Sequence, residues 1–389
     1  MASAPAKCEA AAILINYITM NNDRKMRIGI TQGDTNGVGY EVIMKCFTSN
    51  DMLELCVPII YGSSKIFNYH KKALDIATTA LNITSSAGHV KENALNLVEV
   101  NKNEVKIELG QPSKQAGAAA FMALEAAVSD LKNGVIDVLV TAPINKQNIR
   151  SEEFTFAGHT EYLESSLGDG NKALMVLCCD RLRVALATTH IPIAKVAQSL
   201  NIDDIAEKLR IFNLALQRDF NIQKPRIAVL GLNPHCGDGG VAGNEEKEII
   251  EPAIAQACDD KVLCFGPYAA DGFFGTGQYR RFDGVLAMYH DQGLAPFKAI
   301  AMDSGVNVTA GLPYVRTSPD HGTGYDIAGQ GVASEKSMRE AIFTAIDIWR
   351  NRQRWDQMYG NPLKKQYFEK GKDNVVLDLT KIENEEPLG

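Results

Sequence analysis

Short apolar runs that stop abruptly at polar residues recur along this chain, and each reads as a buried strand opening into a loop. Arg27–Thr31, VPIIYG at 57–62, VIDVLVTAPINK at 135–146 and Val285–Tyr289 all have this form. ALMVLCC and RLRVALATTH read as two strands joined at Asp180-Arg181, the second ending at His190. RIAVLGLNPHCGDGGVAGNEEKEIIEPAI reads as strand, glycine-rich loop and helix. In the stretch 75–113, NLVEV and VKIEL predict an antiparallel pair. Helical patterns lie between these runs. Ala116–Leu131 is Ala-rich and closed by Asn133-Gly134. Asp203–Phe220 repeats apolar residues at Ile205, Leu209 and Phe212. FAGHTEYLESSL opens an amphipathic helix at His159 and Thr160, and a long helix is expected from Glu335 to Trp349. Ser63 or Ser64 suits a helix N-cap. Strands alternating with helices predict a mainly parallel α/β architecture.

A chain of 389 residues buries a large core and has the length of two domains. Its net charge of -7 argues against nucleic acid as the main partner, since a phosphate backbone wants a basic face. A small anionic substrate remains compatible, because a local Lys/Arg cluster outweighs a distant field. No apolar run approaches the roughly 20 residues that cross a bilayer. The eight cysteines contain no CxxC pair, and without a secretory signal they are expected to be reduced thiols of a cytoplasmic protein. Residues 1–25 are expected to form a poorly ordered extension. Their segment AAAILINYITM lacks a basic leader, and Met20 or Met26 is the expected start of translation.

The chemistry concentrates in GVLAMYHDQGLAPFKAIAMDSGVNVTAGLPYVR at 284–316. His290 ends an apolar run there, as His190 and His235 end two others. If the three strands are parallel neighbours, the imidazoles share one edge of the sheet and suit an open catalytic metal site. Three unrelated loop histidines remain the alternative. Asp271 and Asp291 are candidate extra ligands or acceptors for the rings, and Asp271-Gly272 equally fits an ordinary turn. Lys298, Asn307 and Arg316 form a candidate anion clamp, although each alone fits a surface or turn residue. The glycines at 33, 37 and 39 match neither GxGxxG nor GxxxxGK[ST], so a tight strand-to-helix turn is their simplest use.

Together, GHTEYL, TTHIPI, NPHCGDGG, AMYHDQGLAPFK and GVNVTAGLPYVRTSPDHGT resemble the 4-hydroxythreonine-4-phosphate dehydrogenase family of vitamin B6 biosynthesis, from about Met26 to Trp349. The resemblance implies an NAD-dependent, metal-requiring homodimer with its active site at the subunit interface. Its metal histidines fall on His190, His235 and His290, the metal being zinc, magnesium or cobalt. Its substrate positions fall on His159, Thr160, Lys298, Asn307 and Arg316. The family's first loop, GDPAGIGPE, stands here as GDTNGVGYE, with Thr35 and Tyr40 in place of prolines. HGTGYDIAGQG at 321–331 is similar to the adenosine-binding loop HGSAPDIAGKG of isopropylmalate and isocitrate dehydrogenases. That likeness implies a fold of their type, two α/β domains with a cleft, and not a GxGxxG Rossmann fold. It places cofactor contacts at His321, Gly322, Thr323 and Asp326, the carboxylate favouring NAD over NADP.

The expected domains are 26–135 with 305–389, carrying the cofactor loop, and 136–304, carrying the metal histidines and dimer contacts. The implied reaction is oxidation of 4-phosphooxy-L-threonine at C3, then decarboxylation to 3-amino-2-oxopropyl phosphate. Its general base is not evident, and Lys298 and Asp271 are the catalytic candidates. Three readings stay open beside it: a paralogue acting on 4-phospho-erythronate or threonate, a metal-dependent hydrolase, and a silent ligand-binding protein.

Overall fold

The computed structural model describes residues 24–100, 105–152, 154–156 and 158–360. Of the expected N-terminal extension, residues 1–23 lie outside the described residues. Arg24 and Lys25 are docked on the body: Arg24 Nη2 lies 2.7 Å from Asp137 Oδ1, and Lys25 Nζ donates to the Leu53 carbonyl at 2.7 Å.

The first half of the chain forms β1 (Arg27–Thr31), α1 (Gly39–Cys46), β2 (Val57–Gly62), α2 (Ser64–Ala73), β3 (Leu81–Thr84) and β4 (Leu95–Glu99). It continues through α3 (Lys114–Lys132), β5 (Val138–Thr141) and α4 (His159–Leu167). The second half comprises β6 (Leu174–Cys179), β7 (Leu182–Leu186), α5 (Ile202–Arg218), β8 (Arg226–Leu230), α6 (Glu251–Asp259) and β9 (Leu263–Tyr268). It ends with α7 (Ala270–Gly275), β10 (Gly284–Ala287), α8 (His290–Ala301), β11 (Val306–Ala310), β12 (Val315–Pro319) and α9 (Lys336–Tyr359). Ser113 and Asn201 cap α3 and α5, their side chains accepting from Ala116 N and Asp204 N.

All twelve strands join one sheet in the order β3-β4-β2-β1-β5-β12-β11-β6-β7-β10-β8-β9. The pairing is parallel except at β12–β11, β11–β6 and β6–β7. Three successive antiparallel steps reverse the strand direction, so the β1 block and the β7 block run in opposite senses and meet at a central seam. β5, expected in the second domain, pairs with β1 and β12 inside the first block. Every residue of β2 and β5 is buried, as expected of parallel strands covered on both faces. Helices α1, α5, α6 and α9 bury their apolar stripes on one face of the sheet. On the other face, α3 and α4 cover the first block and α8 the second. Each fully buried Ile or Phe in these layers contributes about 1.5–3 kcal/mol over its exposed state.

Two expectations are corrected. NLVEV does not pair with VKIEL: β4 lies between β3 and β2, parallel to both, and 105–109 forms no strand. Its apolar residues are all needed inside a parallel block, which leaves no edge for a hairpin. The last helix also continues past Trp349 to Tyr359. Its polar extension is held by Arg352, which meets the buried Asp219 with two hydrogen bonds of 2.7 and 2.9 Å and donates to the carbonyls of Leu312 and Pro313. A hydrophobic period alone misses a turn anchored by a buried ion pair.

Candidate active site

At the seam, side chains two residues apart along a strand share a face. Arg316 and Ser318 on β12 therefore stand with Asn307 and Thr309 on β11, and Arg316 also reaches Thr141 on β5. Its Nη2 and Nε donate to Thr141 Oγ1 at 2.6 and 3.1 Å, and its Nη1 donates to Thr309 Oγ1 at 3.1 Å. The guanidinium is buried, and no carboxylate lies within 4 Å of it among the described residues. Burial pushes it down to about 9, which still leaves it a cation at neutral pH. A buried cation satisfied only by hydroxyls is costly, and an anion arriving beside it would offset that cost.

α4 opens close by. The Nε2 of His159 is buried without a partner among the described residues, and burial, Arg316 and Lys146 hold the ring well below its ordinary range, hence neutral. The Oδ1 of Asn307 is likewise buried and unpartnered. Thr160 follows His159 in the first turn and lines a cavity of about 250 Å³ with Glu161 and His190.

The strands bearing the three histidines are parallel neighbours in the order β7-β10-β8, as the sequence reading required. β7 stops at Leu186, but the amides of Ala187 and Thr188 still bond to Ala287 and Met288, which carries the chain beside β10 as far as His190. His190 and His290 thus lie with ring centroids 5.9 Å apart. Each is backed by a carboxylate: His190 Nδ1 is 3.3 Å from Glu161 Oε1, and His290 Nδ1 is 2.6 Å from Asp291 Oδ1. Such backing fixes the proton on Nδ1 and leaves the Nε2 lone pair for a metal, so this pair fits one. The His190 Nε2 accepts from Lys146 Nζ at 2.8 Å.

His235 is not brought to the pair. It opens a turn in which residues 235–239 are all left-handed, starting at φ 52 and ψ 28 for His235, and this turn carries the ring into solvent. Among the described residues no three His, Cys, Asp or Glu side chains are grouped closely enough to hold a metal. Asp271 is exposed in the first turn of α7, near the same loop, and its charge helps push up the Cys236 thiol after burial and Glu246.

Lys298 reaches the end of β12, donating to the Asp320 carbonyl at 3.2 Å with Oδ1 of the same residue 3.7 Å away. His321 follows, with Nδ1 2.9 Å from the Gly322 carbonyl and Nε2 buried and unpartnered. Burial holds its ring below the ordinary range. Asp326 is exposed, and its carboxylate makes no hydrogen bond among the described residues. The loop 321–331 is seated on the first loop: Thr323 O accepts from Val38 N at 2.9 Å. A Cβ on Gly37 would stand 2.5 Å from that carbonyl oxygen, so only glycine fits there.

The two departures in the first loop are built into the core. Tyr40 donates to Gln32 Oε1 at 2.6 Å and accepts from Ser63 N at 2.9 Å. The carbonyl of Thr35 lies 2.9 Å from His70 Nε2, and burial keeps that imidazole below its ordinary range. Below about pH 6.5 the unfolded chain binds a proton that folded His70 refuses. Stability therefore falls as pH drops through that value, by up to about 1.4 kcal/mol per pH unit. His70→Gln is expected to flatten this loss between pH 7 and 5.5 in melting curves; parallel acid limbs for both proteins would contradict it.

Sequence reasoning missed Lys146, Glu161 and Asp34. Lys146 carried the signal used for the histidines, a polar residue just past an apolar strand. Glu161 gave none beyond its place in GHTEYL.

The fold is an α/β one with polar groups gathered at the seam, and its relatives give the class, a dehydrogenase. The chain belongs to the family described as pyridoxal phosphate biosynthetic protein PdxA, whose model matches residues 54–345. It is similar to a 4-hydroxythreonine-4-phosphate dehydrogenase of Bacteroides thetaiotaomicron, 57% identical over 365 residues that make up 93% of this chain and 100% of that protein. The enzyme of that name from Sulfurihydrogenibium is 40% identical over 327 residues, 84% of this chain and 99% of that one. Among solved structures, 4-hydroxythreonine-4-phosphate dehydrogenase from Klebsiella pneumoniae superposes with a TM-score of 0.72 at 32% identity, covering 85% of this chain and 99% of the other.

Proposed function

We propose that this chain oxidises the C3 hydroxyl of 4-phosphooxy-L-threonine with NAD and releases C1 as carbon dioxide, leaving 3-amino-2-oxopropyl phosphate for pyridoxal 5'-phosphate synthesis. The observation that carries this reading is the buried Arg316, held only by hydroxyls and within the field of Glu161, the same carboxylate that backs His190 of the histidine pair. An anion and a metal would be held side by side there. His190 and His290 would hold the metal, zinc or a similar divalent ion, with His235 the third position that the resemblance implies, in the active site of a cytoplasmic homodimer at its subunit interface. When bound, the ion supplies Lewis-acid polarisation of the substrate oxygen.

The rest falls to the chain's own residues. Arg316, Lys298 and Asn307 bind and orient the phosphate end, so that binding energy far from C3 fixes its position. The neutral His159 and Thr160 offer hydrogen bonds to the substrate, and burial around Arg316 excludes water. His321, Gly322, Thr323 and Asp326 take the adenosine half of the dinucleotide, the carboxylate repelling the extra phosphate of NADP. The central seam is the boundary between two domains that enclose the substrate. Of the two catalytic candidates, Lys298 reaches the residues following β12, and Asp271 lies beside the His235 loop.

The dehydrogenase names of the relatives leave the hydrolase and silent-binder readings without support. The sugar-acid alternative keeps one observation in its favour. A chain from Oceanobacillus iheyensis with the provisional name D-threonate 4-phosphate dehydrogenase is 36% identical over 84% of this one. Initial rates of NADH formation on both phosphorylated acids separate the two readings.

A further inference from the structure

Three loops meet at a buried carboxylate that none of the roles above uses. Asp34, 1% exposed, accepts from Asn36 N at 2.9 Å through Oδ1. Through Oδ2 it accepts from Tyr325 Oη at 2.8 Å and from Asn148 Nδ2 at 2.7 Å. Asn148 Nδ2 also lies 3.3 Å from Tyr325 Oη. A carboxylate only accepts hydrogen bonds, so the amide of Asn148 has one orientation available: nitrogen toward Asp34, oxygen away from it. That oxygen, Oδ1, is buried and has no partner among the described residues. A buried acceptor left unmet costs about as much as a lost hydrogen bond, so its fixed direction calls for a donor from outside the chain.

Its place in the fold says which donor. Two residues before Asn148, Lys146 touches His190 at 2.8 Å. One residue after Tyr325 comes Asp326, on the loop assigned to the adenosine ribose. The cluster therefore spans the interval between the histidine pair and the adenosine loop. A dinucleotide bound at Asp326 with its reactive ring near the histidines lays its other half across this interval. That half carries ribose hydroxyls and a carboxamide N–H₂, both donors. Tyr325 also stands where the similar adenosine-binding loops have proline, so this contact comes from the chain's own sequence.

We propose that Asn148, oriented by Asp34 and Tyr325, accepts a hydrogen bond through Oδ1 from the nicotinamide-riboside half of the dinucleotide. The inference rests on the dinucleotide-dependent reading above, and the experiment separates the two. Full-length wild type, Asn148→Ala and Tyr325→Phe are titrated with NADH by its fluorescence and with ADP, which lacks the nicotinamide-riboside half, by calorimetry. Asn148→Ala is expected to weaken NADH about tenfold, the size of one ligand hydrogen bond, and to leave ADP within about twofold. Tyr325→Phe keeps the ring and removes only the hydroxyl, so it loses NADH affinity selectively even if Asn148→Ala folds poorly. Unchanged NADH affinity in both variants, or equal losses for NADH and ADP, would overturn the assignment. A wild type that binds neither probe overturns the dinucleotide reading itself.

Discussion

His290→Ala is expected to lower kcat/KM by a factor on the order of 10³ or more, with the bound metal lost and the melting temperature nearly unchanged. His190→Ala should match it, and His235→Ala tests the third position that the family resemblance implies. The expectation rests on the backing carboxylates: Glu161 and Asp291 take the Nδ1 side of His190 and His290, so Nε2 is the nitrogen each would offer a metal, with Lys146 displaced from His190. Residues that only orient a ligand matter less, so Glu161→Gln and Asp291→Asn should cost about 10–100-fold. This graded order is what separates a metal site from a pair of hydrogen-bonded loop histidines. The checks are metal content by elemental analysis, steady-state rates and thermal melts on the same preparations. A His235→Ala protein with near-normal kcat and no added metal would remove that residue from the site.

Arg316→Met should cost about 2–4 kcal/mol in kcat/KM on the phosphorylated substrate, roughly 30- to 1000-fold. Methionine fills most of the space, and removing a buried cation that no carboxylate pairs relieves its desolvation, so the melting temperature should hold or rise. Arg316→Lys should recover part of the loss, because an ammonium keeps the charge but not the planar fork now spread over Thr141 and Thr309. On dephosphorylated 4-hydroxythreonine the wild type and Arg316→Met should differ little. An equal loss on both substrates would make Arg316 a structural residue.

The parts of this molecule that follow a local rule were legible in the sequence. β1, β2, β5 and β10 are apolar runs, and burial on both faces gives them no alternation to obscure. The neighbourhood of β7, β10 and β8 was the condition set for the histidines, and the sheet meets it. What stayed hidden depends on groups far apart in the chain. The reversal of strand direction at the seam follows from β11 and β6 pairing across more than a hundred residues, and no periodicity records it. Asp34, Asn148 and Tyr325 each read alone as loop residues, and only the fold places them on one carboxylate. His235 matched the pattern of the other two histidines, but no period records the left-handed turn at 235–239, on which the exposed ring stands.

The most direct test adds 4-phosphooxy-L-threonine and NAD to the purified, zinc-supplied protein and follows NADH by its own absorbance, with the products identified by mass spectrometry. One equivalent each of NADH, carbon dioxide and 3-amino-2-oxopropyl phosphate per substrate consumed is the predicted result, with phosphorylated threonate and erythronate turned over far more slowly. NADH formed faster from either sugar acid, or substrate consumed without NADH, would contradict it.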